Sequence, residues 1–130
     1  MNRPAIRATA FSALSFLATL APVWAAQEEN DDGKTAFNNA CRTCHSFKAD
    51  DNRLGPTLHG IVGRKAGSVA GFAFSPSMKS SGVTWDESNL DQFIANPEAV
   101  VSGNKMQPFG GIADAGERKK IIQYLKTLTD

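Results

Sequence analysis

Cys41-Arg42-Thr43-Cys44-His45 has the Cys-x-x-Cys-His spacing by which a protein attaches haem covalently. On a helical turn, cysteines three residues apart lie on one side, where each can form a thioether with one of the two haem vinyl groups. The next residue, His45, then offers an imidazole nitrogen to the iron from one face of the ring. The chain has two cysteines, so no other pairing competes.

Three other chemistries compete for these five residues. A thioredoxin-like dithiol expects a hydrophobic strand in a βαβ pattern ahead of it, whereas Thr35-Ala36-Phe37-Asn38-Asn39-Ala40 reads as helix. A Cys2His2 zinc site has its inventory in Cys41, Cys44, His45 and His59, but His45 is joined to Cys44 and the histidines lack the short spacing such sites use. A Cys41–Cys44 disulfide is chemically feasible in an oxidising compartment, yet so small a loop would constrain the unfolded chain little.

The N-terminus supplies the context. Arg3 and Arg7 precede an apolar, alanine-rich run from Ala8 to about Leu20, followed by Ala21-Pro22-Val23-Trp24-Ala25-Ala26. These are the three regions of a secretory signal peptide. Val23 and Ala25 suit the small-residue positions of a cleavage site, so residues 1–25 are expected to be removed and residues 26–130 to form the mature domain. The apolar run is shorter than the ~20 residues of a spanning helix. Export also fits the cysteines, since covalent haem attachment in bacteria takes place outside the inner membrane.

Removing 25 of 130 residues leaves 105, enough for one small domain. Arg3 and Arg7 go with the leader, so 12 of the 14 basic residues remain against 13 acidic ones. That balance gives no reason to expect nucleic-acid binding. Glu28, Glu29, Asp31 and Asp32 form an acidic start to the mature chain. No internal repeat or long low-complexity stretch is present.

The regular signals are helical and widely separated. A first helix is expected to begin near Asp32-Gly33 and run toward Cys41, burying Phe37. A short one follows Ser75, with Pro76 at its first position and Gly82 as its stop. Thr84-Trp85-Asp86-Glu87 reads as a capping box for a helix through Leu90, Phe93 and Ile94 that ends before Pro97. Asp114 and Glu117 open the last helix, where Ile121, Ile122, Tyr124, Leu125 and Leu128 recur at helical spacing. No segment alternates as a strand would, and the fold class is all-α, with four or five short helices.

Glycine-rich loops from Gly55 to Gly71 and from Gly103 to Gly111 are too long for ordinary connections in a compact domain. A bound haem explains them. A domain of this size buries only ~65% of its unfolded surface, and a few short helices give a thin core that a large apolar cofactor would complete. The apoprotein is therefore expected to be largely unfolded.

For the second axial position of the iron the mature chain offers His59, Met78 and Met106. His59 also suits a surface or hydrogen-bonding role, and Met78, on a short helix, suits a gap-filling one. Met106 lies in Ser102-Gly103-Asn104-Lys105-Met106-Gln107-Pro108-Phe109-Gly110-Gly111, a loop with no helical stripe to join. A methionine presented this way is better placed to reach an iron than to fill a core.

Four ordered motifs carry a resemblance: Cys41 to His45, Gly55-Pro56-Thr57-Leu58-His59-Gly60-Ile61-Val62-Gly63-Arg64, Gly82-Val83-Thr84-Trp85, and Gly103-Asn104-Lys105-Met106. Over Gly33 to Leu128 the chain resembles the class I c-type cytochromes, in particular the soluble bacterial cytochrome c2 type similar to the mitochondrial protein. The resemblance implies a small cytochrome c fold around one haem c, held covalently through Cys41 and Cys44. It makes His45 the proximal ligand, Met106 the distal one, and the Pro56 carbonyl the partner of the His45 ring. Arg64 and Trp85 match partners of a haem propionate, Leu58 matches a haem-packing residue, and Phe37 and Tyr124 match a contact between the first and last helices. His59 falls on a histidine that does not bind iron.

Several positions depart from the mitochondrial-like pattern. Phe74 and Phe93 stand where that group commonly has tyrosines, Met78 where it has asparagine, and Asn104 where it has threonine. The Met106 loop is one residue longer, with Pro108 inserted ahead of Phe109, and Ser102 replaces a proline.

With both axial positions filled, the function implied is that of an electron carrier, not an enzyme, working in the periplasm and cycling between ferrous and ferric iron. Lys34, Arg42, Lys48, Lys79 and Lys105 are candidates for a positive docking rim. By resemblance the partners are a membrane-bound cytochrome reductase on one side and a terminal oxidase or photosynthetic reaction centre on the other, engaged transiently by a monomer. The alternative is a haem enzyme or a sensor of gas or peroxide, with Met106 off the iron and the sixth position open.

Overall fold

Five helices and one isolated bridge, Lys65–Thr84, make up the regular structure of residues 23–129, the part that the computed structural model describes. The first 22 residues of the expected leader lie outside this range. The helices are α1 (Val23–Ala40), α2 (Pro76–Ser80), α3 (Glu87–Ala95), α4 (Pro97–Val100) and α5 (Ala115–Lys126). Among the described residues no helix is long and apolar enough to cross a membrane.

The framework is the crossing of α1 over α5. At Gly33 a β-carbon would come within 2.6 Å of the Lys120 carbonyl oxygen and 2.9 Å of Tyr124 Cβ, so only a glycine lets the two backbones approach this closely. One turn further on, Phe37 is fully buried, its ring centroid 5.4 Å from that of Tyr124 and 6.3 Å from that of Phe47. Burying a phenylalanine contributes about 1.5–3 kcal/mol. From α5, Ile121, Ile122 and Leu125 join the same core. Asp114 caps that helix by accepting the Glu117 N–H at 2.6 Å, as the sequence leads one to expect.

Two helix starts differ from expectation. α1 begins at Val23 rather than near Asp32, because Ala25, Ala26, Gln27, Glu28 and Glu29 favour helix and no glycine or proline interrupts them. α3 is capped by Asp86, not Thr84. Asp86 accepts the Asn89 N–H at 2.8 Å, and the Asn89 side chain accepts the Asp86 N–H at 2.8 Å. Thr84 is unavailable because the strand-like pairing with Lys65 keeps the chain extended: the Trp85 N–H donates to the Arg64 carbonyl and the Trp85 carbonyl accepts from Gly63. The chain turns helical only beyond Trp85.

Pro97 ends α3, as expected, but it also opens α4, a single turn beyond the helices expected from the sequence. Asn96 caps it by accepting the Ala99 N–H at 3.2 Å. Arg118 of α5 then ties three parts together. It pairs with Asp91 of α3 at 2.7 Å and donates to the carbonyls of Ile112 and Ala113 at 3.0 and 2.8 Å, fixing the exit of the Met106 loop against both helices.

Candidate functional site

The two glycine-rich loops close over the helices to form a cavity of about 460 Å³. All seven residues expected at the site line it: Cys41, Cys44, His45, Pro56, Arg64, Trp85 and Met106. Apolar side chains make up most of the remaining wall, with Leu58 and Ile61 from one loop, Met78 from α2, Leu90, Phe93 and Ile94 from α3, and Ile121 and Leu125 from α5. His59 is not among the lining residues.

His45 stands where α1 unwinds into the turn at residues 41–44, its N–H bonded to the Cys41 carbonyl at 2.9 Å. Its side chain is 6% exposed, and Nδ1 lies 2.7 Å from the Pro56 carbonyl oxygen. A carbonyl only accepts, so Nδ1 carries the proton and Nε2 keeps a free lone pair. Burial holds the ring below the usual histidine range, in its neutral form. Gly55 forms the floor beneath the ring: a β-carbon there would collide with it, lying 2.6 Å from Nδ1. The Gly55 N–H is bonded to the Cys44 carbonyl at 2.8 Å, which locks this loop to the cysteine turn.

Cys41 and Cys44 are both free. Burial, and then the neighbouring Cys44, push the Cys41 thiol up to about 12, so it stays protonated. Arg64 donates from Nη1 to the His59 carbonyl and from Nη2 to the Thr57 carbonyl, each at 2.8 Å. Burial lowers its pKa, but a guanidinium remains charged in proteins, and this one is a fixed cation in the cavity wall. Trp85, 5% exposed, packs against Phe93 with ring centroids 4.9 Å apart.

This donor set suits a haem. It combines two thiols at thioether spacing, a neutral imidazole with a free Nε2, a thioether sulfur, the fixed Arg64 cation for a carboxylate, and a mostly apolar wall elsewhere. Among the described residues no group of three or more His, Cys, Asp or Glu gathers that would hold a metal ion by itself.

Of the five cations expected on the rim, all are exposed but only Lys105 lines the cavity. Arg42 lies over the Phe47 ring, 5.5 Å from its centroid. Lys65, not singled out in the sequence, also lines the cavity, as does Leu54, which is 79% exposed. Gly55 was legible only as part of a motif. No sequence signal pointed to Glu98, whose carboxylate binds the loop that carries Met106.

A family model described as "Cytochrome C oxidase, cbb3-type, subunit III" matches residues 28–125. The chain is 48% identical over 88 residues to cytochrome c2 iso-2 of Magnetospirillum molischianum, covering 68% of this chain and 90% of that one. With cytochrome c2 iso-2 of Magnetospirillum fulvum it shares 45% identity over 97 residues, 75% of this chain and 99% of the relative. Its structure is similar to that of cytochrome cH from Methylobacterium extorquens, with a TM-score of 0.69 and 46% identity, covering 75% of this chain and 97% of that one.

Proposed function

Because this chain belongs to the class I c-type cytochromes, of the cytochrome c2 type, we propose that it is a periplasmic shuttle whose haem c is attached through Cys41 and Cys44 and ligated by His45 and Met106. Members of this family transfer electrons and are not enzymes. The bound haem supplies a one-electron ferrous–ferric couple.

The observation that carries the reading is the convergence of the His45 imidazole, both cysteines and Met106 on one apolar cavity. Pro56 and Gly55 fix the His45 ring, one by a hydrogen bond and the other by contact, so Nε2 keeps its direction in both oxidation states. Small rearrangement on electron transfer is what a carrier requires. Arg64, preoriented by the Thr57 and His59 carbonyls, has donors left for a propionate, which a charge-assisted bond makes tolerable in a buried setting. Trp85 is its expected companion. Phe93, Ile94, Leu90 and Met78 exclude water, and a dry wall raises the cost of the ferric charge.

Leu54, Lys65 and Lys105 mark the accessible rim of the cavity. A partner meeting this rim docks weakly and briefly, guided by charge. The partners proposed are a membrane-bound reductase and a terminal oxidase or photosynthetic reaction centre in a respiratory or photosynthetic chain. Export requires the leader at residues 1–25. Cleavage after Ala25 trims only the start of α1 and leaves the Gly33 and Phe37 contacts with α5 in place.

The test is the ferric and ferrous absorption spectrum of the exported holoprotein, with and without carbon monoxide, together with its intact mass. A low-spin spectrum with a sulfur-to-iron charge-transfer band, no rapid carbon monoxide binding, and a chain starting at Ala26 are expected. Prompt carbon monoxide binding would mean that Met106 is off the iron and would shift the reading to a sensor or enzyme.

A further inference from the structure

We propose that Glu98 and Asn104 are positioning residues that hold Met106 in place for coordination. The proposal rests on the reading of Met106 as the distal ligand. The Met106 backbone N–H donates to Asn104 Oδ1 at 2.6 Å. Asn104 Nδ2 donates to Glu98 Oε2 and to the Val101 carbonyl, each at 3.0 Å. The other Glu98 oxygen, Oε1, accepts from Ser102 Oγ and from the Gly103 N–H, each at 2.8 Å. On the far side, Ser77 of α2 donates to the Gly103 carbonyl at 2.7 Å.

The amide of Asn104 is 8% exposed and has one orientation that works. Nδ2 must face Glu98 Oε2 and the Val101 carbonyl, both acceptors, and Oδ1 must face the Met106 N–H, a donor. Turning the amide over would set oxygen against two acceptors and nitrogen against a donor. Threonine, which the mitochondrial-like pattern has here, carries one hydroxyl and could not bridge all three groups.

The geometry explains why such a device is needed. Between Asn104 and Met106 the chain passes through Lys105 at φ 65°, a left-handed conformation that side-chain-bearing residues adopt at a cost. That reversal lies between Asn104, which brings Met106 to the cavity wall, and Met106 itself. Glu98 holds residues 102, 103 and 104, and Asn104 then holds 106, so the strained residue is bracketed by bonds on both sides. Glu98 itself sits in α4, the turn opened by Pro97 and capped by Asn96, which anchors the carboxylate to a rigid element. Ser102 replaces a proline of the mitochondrial-like pattern, and its hydroxyl is one of the groups that Glu98 binds. The two departures in sequence are thus parts of one structural arrangement.

The experiment follows displacement of methionine by imidazole in the ferric holoprotein, read from the sulfur-to-iron charge-transfer band, with thermal midpoints recorded alongside. E98Q keeps the shape of the side chain but turns a donor toward the Asn104 amide nitrogen. It should raise the apparent imidazole affinity about tenfold, the loss of one hydrogen bond to a charged group. N104D preserves the acceptor for the Met106 N–H and opposes two carboxylates, and should raise the affinity at least as much. The double variant E98Q/N104D restores a donor–acceptor pair with reversed roles, so its affinity should lie nearer the wild type than that of N104D.

Single variants within about twofold of the wild type, or a double variant whose effect is the product of the two single effects, would overturn the proposal. Should N104D not fold, E98Q decides alone. A wild-type ferric spectrum that lacks the band and is unchanged by Met106→Ala would instead overturn the ligand reading, and the positioning role with it.

Discussion

The His45 imidazole is fixed between Pro56 and Gly55: its Nδ1 donates to the Pro56 carbonyl at 2.7 Å, while the Gly55 backbone lies against the ring with no room for a β-carbon. Two adjacent residues thereby set both the protonation and the direction of the ring. Gly55→Ala should force His45 to shift, because the new methyl would meet three ring atoms. The expected loss is about 1–3 kcal/mol, typical of overpacking, measured by denaturant unfolding of the holoprotein. Unfolding at the wild-type midpoint would show that the loop yields without disturbing His45.

Core packing between the first and last helices carries a second prediction. Phe37 has no exposed surface and meets Tyr124 at 5.4 Å between centroids. Phe37→Ala should cost about 3–5 kcal/mol while leaving the charge-transfer band of the folded fraction unchanged, since Phe37 does not line the cavity. A stability loss below 1 kcal/mol would mean that α1 can collapse onto α5 without it.

Acid should loosen the loop that carries Met106. The Gly103 N–H, and then the Ser102 hydroxyl, hold the Glu98 carboxyl below its ordinary value of 4.5. A group whose pKa is depressed by folding adds stability above its unfolded value and loses it as pH falls through the folded one. The contribution of Glu98 is therefore whole at neutral pH and disappears below about pH 4.5. Between neutral pH and that range, wild type and E98Q should differ by a constant amount in urea midpoint. Below it the difference should shrink. A difference that stays constant down to pH 3 would exclude Glu98 as the source.

Much of this site was legible because its chemistry is local in sequence. Two cysteines and a histidine on one turn announce the cofactor, and Asp114 followed by Glu117 announces α5. What escaped depended on contacts distant along the chain. The start of α3 at Asp86 follows from the pairing of Trp85 with Arg64, 21 positions earlier, and no local pattern around Thr84 reveals it. Asn104 was visible as a departure from threonine, but its purpose appears only when α4 brings the Glu98 carboxylate to it. The one-turn α4 was hidden because Pro97 signals the end of one helix as strongly as the start of another.

Phe93 offers a direct probe of redox tuning. It lines the cavity, is 7% exposed, and packs on Trp85, where the mitochondrial-like pattern has a tyrosine. Phe93→Tyr adds a hydroxyl to a dry wall. A hydrogen bond to the methionine sulfur would withdraw electron density from iron and raise the midpoint potential, while a more polar wall would favour the ferric charge and lower it. The potential should move, and the sign identifies the dominant effect. An unchanged potential with intact methionine coordination would show that Phe93 does not act on the iron.

The largest dependence should be on the cofactor itself. The cavity of about 460 Å³ is walled by core residues from α2, α3 and α5. Without a haem these residues face an opening in place of packed atoms, and the loops of residues 55–71 and 103–111 lose the surface they enclose. Among the described residues the α1–α5 crossing is the most extensive helix contact, and Gly33 and Phe37 at its heart do not line the cavity, but two helices alone bury too little apolar surface to offset chain entropy. Cys41→Ser/Cys44→Ser protein, purified free of haem, should therefore show much reduced far-ultraviolet helix signal and no cooperative thermal transition. Native helix content with a sharp transition would place the stability of the fold in the polypeptide rather than in the cofactor.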